Sequence, residues 1–261
     1  MKLFRWDCGA AYEVAFSTRV GGVSEGPFAS LNLGVYTDDD PDRVRENRQR
    51  LCAEVGVDPE TATMGWQHHS ADVAKADGRG IVTPGLEFER CDGLWTDEPG
   101  RAVMLLTADC LPIALARANG TPAVAVLHAG WRGLLGGIVE AGVAALGDGP
   151  VAAAVGPGIG PCCYEVGDEV AAPFRERFGE GVVAGRNLDL QEAAERALRA
   201  AGCVSVERVG LCTSCEEGLF FSHRLSEKKV VVNEIARTCA WAQMTGGCTE
   251  PQSPRCNFGP A

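Results

Sequence analysis

Histidine is scarce in this chain, with only four residues, at positions 68, 69, 128 and 223. Positive charge is also in deficit: 24 lysines and arginines stand against 35 acidic residues, a formal net charge of -11. A field of that sign excludes general electrostatic attraction to nucleic acid or to an anionic membrane. A phosphate-bearing substrate then needs a local cluster of arginines. Nowhere do eighteen apolar residues run together, which excludes a hydrophobic spanning helix. The opening residues, Met1-Lys2-Leu3-Phe4-Arg5-Trp6-Asp7-Cys8, place a charge in every short apolar stretch, so no secretory signal is expected. Repeats, low-complexity linkers and shifts of composition are missing too.

What is present fits one soluble domain. Hydrophobic residues make up 46% and charged residues 23% of 261 positions, enough to bury a sizeable core without disulfides. The 12 cysteines lack the short chain and secretory context of a disulfide scaffold. They read as thiols of a reducing cytoplasm, with at least one kept for chemistry.

Strands are expected in the first fifteen residues and over 102–107, 112–116, 122–128, 151–155 and 204–211. A helix is predicted from Pro41 to Val55, capped by Asp40-Pro41-Asp42 and stopped by Gly56. Further helices are expected over 134–146, 166–178 and 188–201. Strands and helices alternate without a strict βαβ rhythm, which predicts a mixed-sheet α+β architecture. The catalytic domain is expected over residues 1–240, with a loosely ordered tail over 241–261. The glycine-bearing loop Ser17 to Ser24 can bring backbone close to a ligand or simply connect strands.

Two of the four histidines gain weight from position. His128 ends the apolar run Ala123-Val124-Ala125-Val126-Leu127, and Cys110 follows Leu105-Leu106-Thr107-Ala108-Asp109. Groups at the ends of core strands are rigidly held yet can face a cleft. A His, Cys, His trio supplies two imidazoles and a thiolate, enough for tetrahedral zinc with one open position. The competing reading is a satisfied core histidine and an inert buried cysteine. Cys212-Thr213-Ser214-Cys215 spells C-x-x-C, but no second such pair stands at ribbon spacing, and it reads as a structural strand end. Adjacent Cys162 and Cys163 are poorly suited to a mutual disulfide.

Many separate blocks, in order, carry a family resemblance. They include Thr18-Arg19, Gly21-Gly22, Ser30-Leu31-Asn32-Leu33-Gly34, Asn47-Arg48, Gln67-His68-His69 and Cys91-Asp92-Gly93. They continue through Thr107-Ala108-Asp109-Cys110-Leu111-Pro112, His128-Ala129-Gly130-Trp131-Arg132-Gly133, Gly156-Pro157-Gly158-Ile159-Gly160, Cys162-Cys163-Tyr164-Glu165-Val166-Gly167 and Phe220-Phe221-Ser222. From Thr18 to about Arg224 the chain resembles the YfiH-like family of laccase-domain proteins, regarded as multifunctional purine nucleoside enzymes. The resemblance implies helices enclosing mixed sheets in YfiH-like α/β/β/α layers. It implies that His69, Cys110 and His128 bind one Zn2+, with His68 a neighbour and not a ligand. It also implies phosphorolysis of adenosine, inosine, guanosine and S-methyl-5′-thioadenosine, and hydrolytic deamination of adenosine.

Phosphorolysis needs arginines for phosphate and a donor for the departing base. Arg19, Arg48 and Arg132 are the candidates for phosphate or substrate; Asn32, Gln67 and Asp92 are candidates for base or ribose. Asp109, beside the ligand cysteine, is the proton-shuttle candidate. The expected partners are purine nucleosides and inorganic phosphate, with the chain a monomer or homodimer. The sequence departs from the family after Ser222: His223 replaces a usual tyrosine, and the customary Arg-Asp and Thr-Gly-Arg elements are not found. Three alternatives stand beside the nucleoside reading: a copper polyphenol oxidase, a metal-free hydrolase with His128 activating Cys110, and an inactive binding protein. Four histidines are few for a multicopper centre, so copper is the weaker expectation.

Overall fold

The computed structural model describes residues 1–81, 90–228 and 238–244. The chain opens with a hairpin of β1 (Leu3–Trp6) and β2 (Tyr12–Ser17), followed by a long loop and α1 (Pro41–Glu54). The Asp40 carboxylate caps α1 by accepting from the Asp42 N–H at 2.9 Å, with proline in the first turn, as the sequence predicts. Asp40→Ala is expected to lower stability by about 1 kcal/mol. Urea unfolding monitored by far-ultraviolet circular dichroism checks this through the midpoint.

Short strands β3 (Thr63–Met64), β4 (Val73–Lys75) and β5 (Gly93–Thr96) precede the core strands β6 (Ala102–Thr107), β7 (Leu111–Arg117) and β8 (Val124–Ala129). Next come α2 (Trp131–Gly136), α3 (Ile138–Ala145), β9 (Val151–Val155) and α4 (Asp168–Phe178). After these lie β10 (Val183–Ala184), β11 (Asn187–Leu188), α5 (Leu190–Ala200), β12 (Ser205–Arg208), α6 (His223–Lys228) and β13 (Thr238–Met244).

Two mixed sheets form from these strands. One runs β12-β9-β7-β8-β5-β4 and the other β1-β2-β13-β6-β3. Alternation along each strand builds the layers. On β7, Leu111, Ile113 and Leu115 face the helices α3, α4 and α5, while Ala114 and Ala116 face the second sheet. On β6, Val103 and Leu105 meet the first sheet, whereas Met104 and Leu106 pack with Leu51 of α1 and Val55 just past its end. Both faces of the central strands are covered, so their sequences read as continuous apolar runs. The result is the α+β sandwich of helix, sheet, sheet and helix expected above.

Two expectations need correction. The helix expected over 134–146 is two helices, because Gly137 adopts φ 91° and breaks the hydrogen-bond ladder between α2 and α3. Residues 241–244, assigned above to the tail, belong to β13, which pairs antiparallel with both β2 and β6. Residues 245–261 lie outside the described residues. The loop Ser17 to Ser24 is packed inward at Gly22, where a Cβ would lie 2.2 Å from the Ser30 carbonyl oxygen. Among the described residues, no helix is long and apolar enough to cross a membrane.

Candidate metal centre and active site

Three strand ends converge at one edge of the six-stranded sheet. Cys110 precedes β7, His128 lies near the end of β8, and Asp92 precedes β5. Since β8 lies between β7 and β5, with Pro112 opposite His128 and Gly93 opposite Leu127, these groups become neighbours. The loop after the Trp66 bridge brings in His69. One donor atom each of His69, Cys110 and His128 lies within 4.8 Å of the others. His128 is buried, Cys110 is half-buried and His69 is exposed, so the trio opens to solvent on one side.

Asp92 organises this edge. Its carboxylate accepts from the N–H groups of His68, His69 and Ser70, from Ser70 Oγ, and from His128 Nδ1 at 2.7 Å. The bond to Nδ1 leaves Nε2 of His128 for the thiol. Burial opposes ionisation of Asp92, but the bonds from His128 and the loop hold its carboxyl well below the usual carboxylate range. Burial likewise opposes the thiolate of Cys110; the charge of His128, and hydrogen bonds from both histidines, nevertheless bring it down to about 6. His128 is raised to about 9, as Cys110 and Asp92 outweigh its burial. The trio therefore favours a thiolate at neutral pH, the form that ligates a soft metal.

Backbone strain is concentrated here. The non-glycine residues with left-handed φ among the described residues are His69 at 64° and Asp109 at 85°. Asp109 lies in the short link carrying the chain from β6 in one sheet to β7 in the other. Its Oδ1 accepts from Thr213 Oγ1 at 2.6 Å and its Oδ2 from the Arg224 N–H at 2.7 Å. Its carbonyl accepts from the Ile159 N–H at 2.8 Å. These bonds fix the turn that presents Cys110. Gly130 closes the other side: a Cβ there would stand 2.9 Å from Cys110 Sγ and 3.2 Å from His69 Cδ2.

The other expected site residues divide. Asn32 is buried and donates to Thr37 and Asp39, bracing its own loop. Arg19 donates to the carbonyls of Ala29, Pro27 and Glu217 and stacks over Phe221. Arg48 is buried, with its guanidinium turned to the carbonyls of Leu33 and Ile81. Gln67 pairs with both backbone groups of Leu106, which ties the His69 loop to β6. Asp92 grips His128 and the loop, as described. Arg132 alone of the six is exposed, with its guanidinium over Trp131. His68 lies 3.4 Å from Asp92 and 3.5 Å from Asp72, outside the trio. Asn32, Arg19, Arg48 and Gln67 thus each hold polar partners within the protein, and Arg48 and Gln67 also line the cavity described below.

Two residues without an assigned role in the sequence reading stand near the trio. Tyr164 is pushed up to about 12, by burial first and then by the charge of Cys110. The Arg224 guanidinium lies 5.6 Å from the Tyr164 ring centroid. The sequence signal for Tyr164 was its place in a family block; Arg224 lies just beyond the last one. A cavity of about 290 Å³ lies on the α1 side of Gln67, walled by Tyr36, Arg48, Met64, Trp66, Gln67 and Leu106. None of the trio lines it, and it gathers no comparable set of donors.

The comparisons agree with this architecture. The family profile described as "Multi-copper polyphenol oxidoreductase laccase" matches residues 13–234. A purine nucleoside phosphorylase of Pseudomonas aeruginosa is 38% identical over 233 residues, covering 85% of this chain and 92% of that protein. The purine nucleoside phosphorylase YlmD of Geobacillus stearothermophilus is 39% identical over 241 residues, 83% and 88% of the two chains. The crystal structure of YlmD from Geobacillus stearothermophilus superposes with a TM-score of 0.83 at 35% identity, covering 91% of this chain and 93% of that one.

Proposed function

Since the chain belongs to the family described as multi-copper polyphenol oxidoreductase laccase, and its relatives are named purine nucleoside phosphorylases, we propose that it cleaves purine nucleosides with inorganic phosphate. The observation that carries this reading is the convergence of His69, Cys110 and His128, with Asp92 behind His128, on an edge open to solvent. The donor set fits zinc: two imidazoles and a low-pKa thiol, with one imidazole oriented by a carboxylate. When bound there, zinc would supply a Lewis acid with one open coordination position. Copper chemistry of the multicopper kind has less support, since the chain holds four histidines.

The substrates are adenosine, inosine, guanosine and S-methyl-5′-thioadenosine. In phosphorolysis a phosphate oxygen bonds to C1′ as the C1′–N9 bond breaks, giving the free base and a sugar 1-phosphate. Arg132 and Arg224 are the cations proposed to hold phosphate; support comes from their charge reaching Tyr164, which also feels the charge of Cys110. Tyr164 keeps its proton at neutral pH and can donate a hydrogen bond to the departing purine. Asp109 holds the Cys110 turn through Thr213 and Arg224, which makes it a positioning residue before a proton shuttle. Hydrolytic deamination of adenosine to inosine belongs to the same proposal as a separate reaction: water adds at purine C6 and the C6–N6 bond breaks, releasing ammonia, while the C1′–N9 bond stays intact. Free thiols at nine described cysteines fit a cytoplasmic enzyme.

The test is product analysis of purified protein with adenosine, with and without phosphate, beside a Cys110→Ala control. Adenine and ribose 1-phosphate only with phosphate, or inosine without it, both lost in Cys110→Ala, are the expected results. Turnover unchanged in Cys110→Ala, or none in the wild type, overturns the reading.

A further inference from the structure

The C-x-x-C at Cys212 to Cys215 finds its partners in space. Cys162 and Cys163 sit on the loop after β9, and all four Sγ atoms lie within 4.8 Å of one another. Cys162 Sγ and Cys163 Sγ stand 3.4 and 3.5 Å from Cys215 Sγ. We propose that these four cysteines form a second metal centre, a closed tetrathiolate zinc site that staples the 160–164 loop to the 212–215 turn.

The geometry argues for a metal over a disulfide. A Zn–S bond of about 2.3 Å in a tetrahedron spaces the sulfurs by about 3.8 Å, close to the separations found. A disulfide needs sulfurs about 2.0 Å apart and engages two of them, whereas here four converge. Four soft thiolates with no imidazole or carboxylate select zinc, or iron, among common metals. The backbone is shaped for such a site. The Gly160 N–H donates to Cys212 Sγ at 3.2 Å, the bond that offsets charge on a ligating sulfur. The N–H groups of Cys215 and Glu216 both turn back to the Cys212 carbonyl, closing a tight knuckle. A Cβ at Gly160 would lie 3.2 Å from Cys212 Cβ and 3.4 Å from Cys162 Sγ, so the lack of a side chain lets the cluster close.

The site has a structural task. Thr213, inside the knuckle, holds Asp109 and through it the turn that presents Cys110. Tyr164 follows the Cys162-Cys163 pair directly and stands beside the trio. Fixing the two loops together therefore fixes the back wall of the nucleoside site. With four protein ligands the centre keeps no open position, which suits a structural ion and not a catalytic one.

Metal content by mass spectrometry of reduced, purified protein separates the two centres. The wild type is expected to carry about two zinc ions per chain, and the His69→Ala/Cys110→Ser variant about one. Cys212→Ser/Cys215→Ser is expected to retain about one, held by the trio. If that variant does not fold, the trio variant still decides: its remaining zinc must leave as an organomercurial titrates the thiols. In cobalt-loaded trio variant, intense thiolate-to-metal absorption of a tetrahedral site is expected. A trio variant free of metal overturns the proposal, as does iron in place of zinc, or a disulfide among the four cysteines in reduced protein. None of these readouts depends on nucleoside turnover, so failure of the activity assay leaves them intact.

Discussion

Asp92→Asn is expected to lower stability by about 3–5 kcal/mol and to weaken metal binding or activity by a further ~10–100-fold. The carboxylate accepts from three backbone N–H groups, a serine hydroxyl and His128 Nδ1 in one buried position. An asparagine keeps one acceptor oxygen and must turn an NH₂ toward groups that are themselves donors. At least one buried donor then faces another, and His128 loses the bond that sets its tautomer. The pH dependence has a definite sign. Because the folded carboxyl lies below its unfolded value, its contribution is present above the ordinary carboxylate range and is lost as the pH falls through the folded value. Asp92→Asn should therefore narrow its deficit toward strongly acid pH. Denaturant unfolding across a pH series, with metal content measured at neutral pH, checks both parts. A variant as stable as wild type at pH 7 would remove Asp92 from the centre of this account.

Gly130→Ala is expected to reduce turnover by about 100-fold or more while costing only about 1–3 kcal/mol of stability. Gly130 has φ -81°, a conformation alanine adopts without strain, so the backbone gives no reason for loss. The damage comes from the added methyl, 2.9 Å from Cys110 Sγ and 3.2 Å from His69 Cδ2. Either the thiol or the imidazole must move, and the donor triangle opens. Gly136→Ala serves as the control. It ends the short helix that Gly130 precedes, meets only Ala71 Cβ at 3.4 Å, and should be neutral or gain up to about 1 kcal/mol. Metal content, kcat/KM and melting temperature of the two variants together separate a steric effect at the site from a general effect on α2. Wild-type turnover in Gly130→Ala would show that the trio tolerates displacement.

Local chemistry was legible in the sequence. Asp40-Pro41 announced α1, buried runs announced β6 to β9, and the blocks around His69, Cys110 and His128 announced the trio. These signals are carried by neighbouring residues: a cap, an apolar stretch, a glycine after a strand. β13 was missed because its place is set by β2 and β6, which lie more than a hundred residues earlier. Gly137 was missed as a break because a glycine in a small-residue run does not announce its φ.

The residue types at the site were determined by the sequence itself, as was the sandwich that two-sided apolar strands require. Tertiary structure alone decided which partners the polar groups of these blocks meet. Asn32, Arg19, Arg48 and Gln67 stand in blocks as distinctive as those of the trio, yet strand register and loop path turn Arg19, Arg48 and Gln67 onto backbone partners and Asn32 onto the side chains of Thr37 and Asp39. Tyr164, on a loop, and Arg224, on α6, which no spacing singles out, come together near the Cys110 turn from far along the chain. The four cysteines make the same point, since Cys162 and Cys215 are 53 residues apart and meet only once β9 and β12 are parallel neighbours. Spacing along a chain reports a helix face or strand face, whereas convergence of distant loops depends on the register of every strand between them.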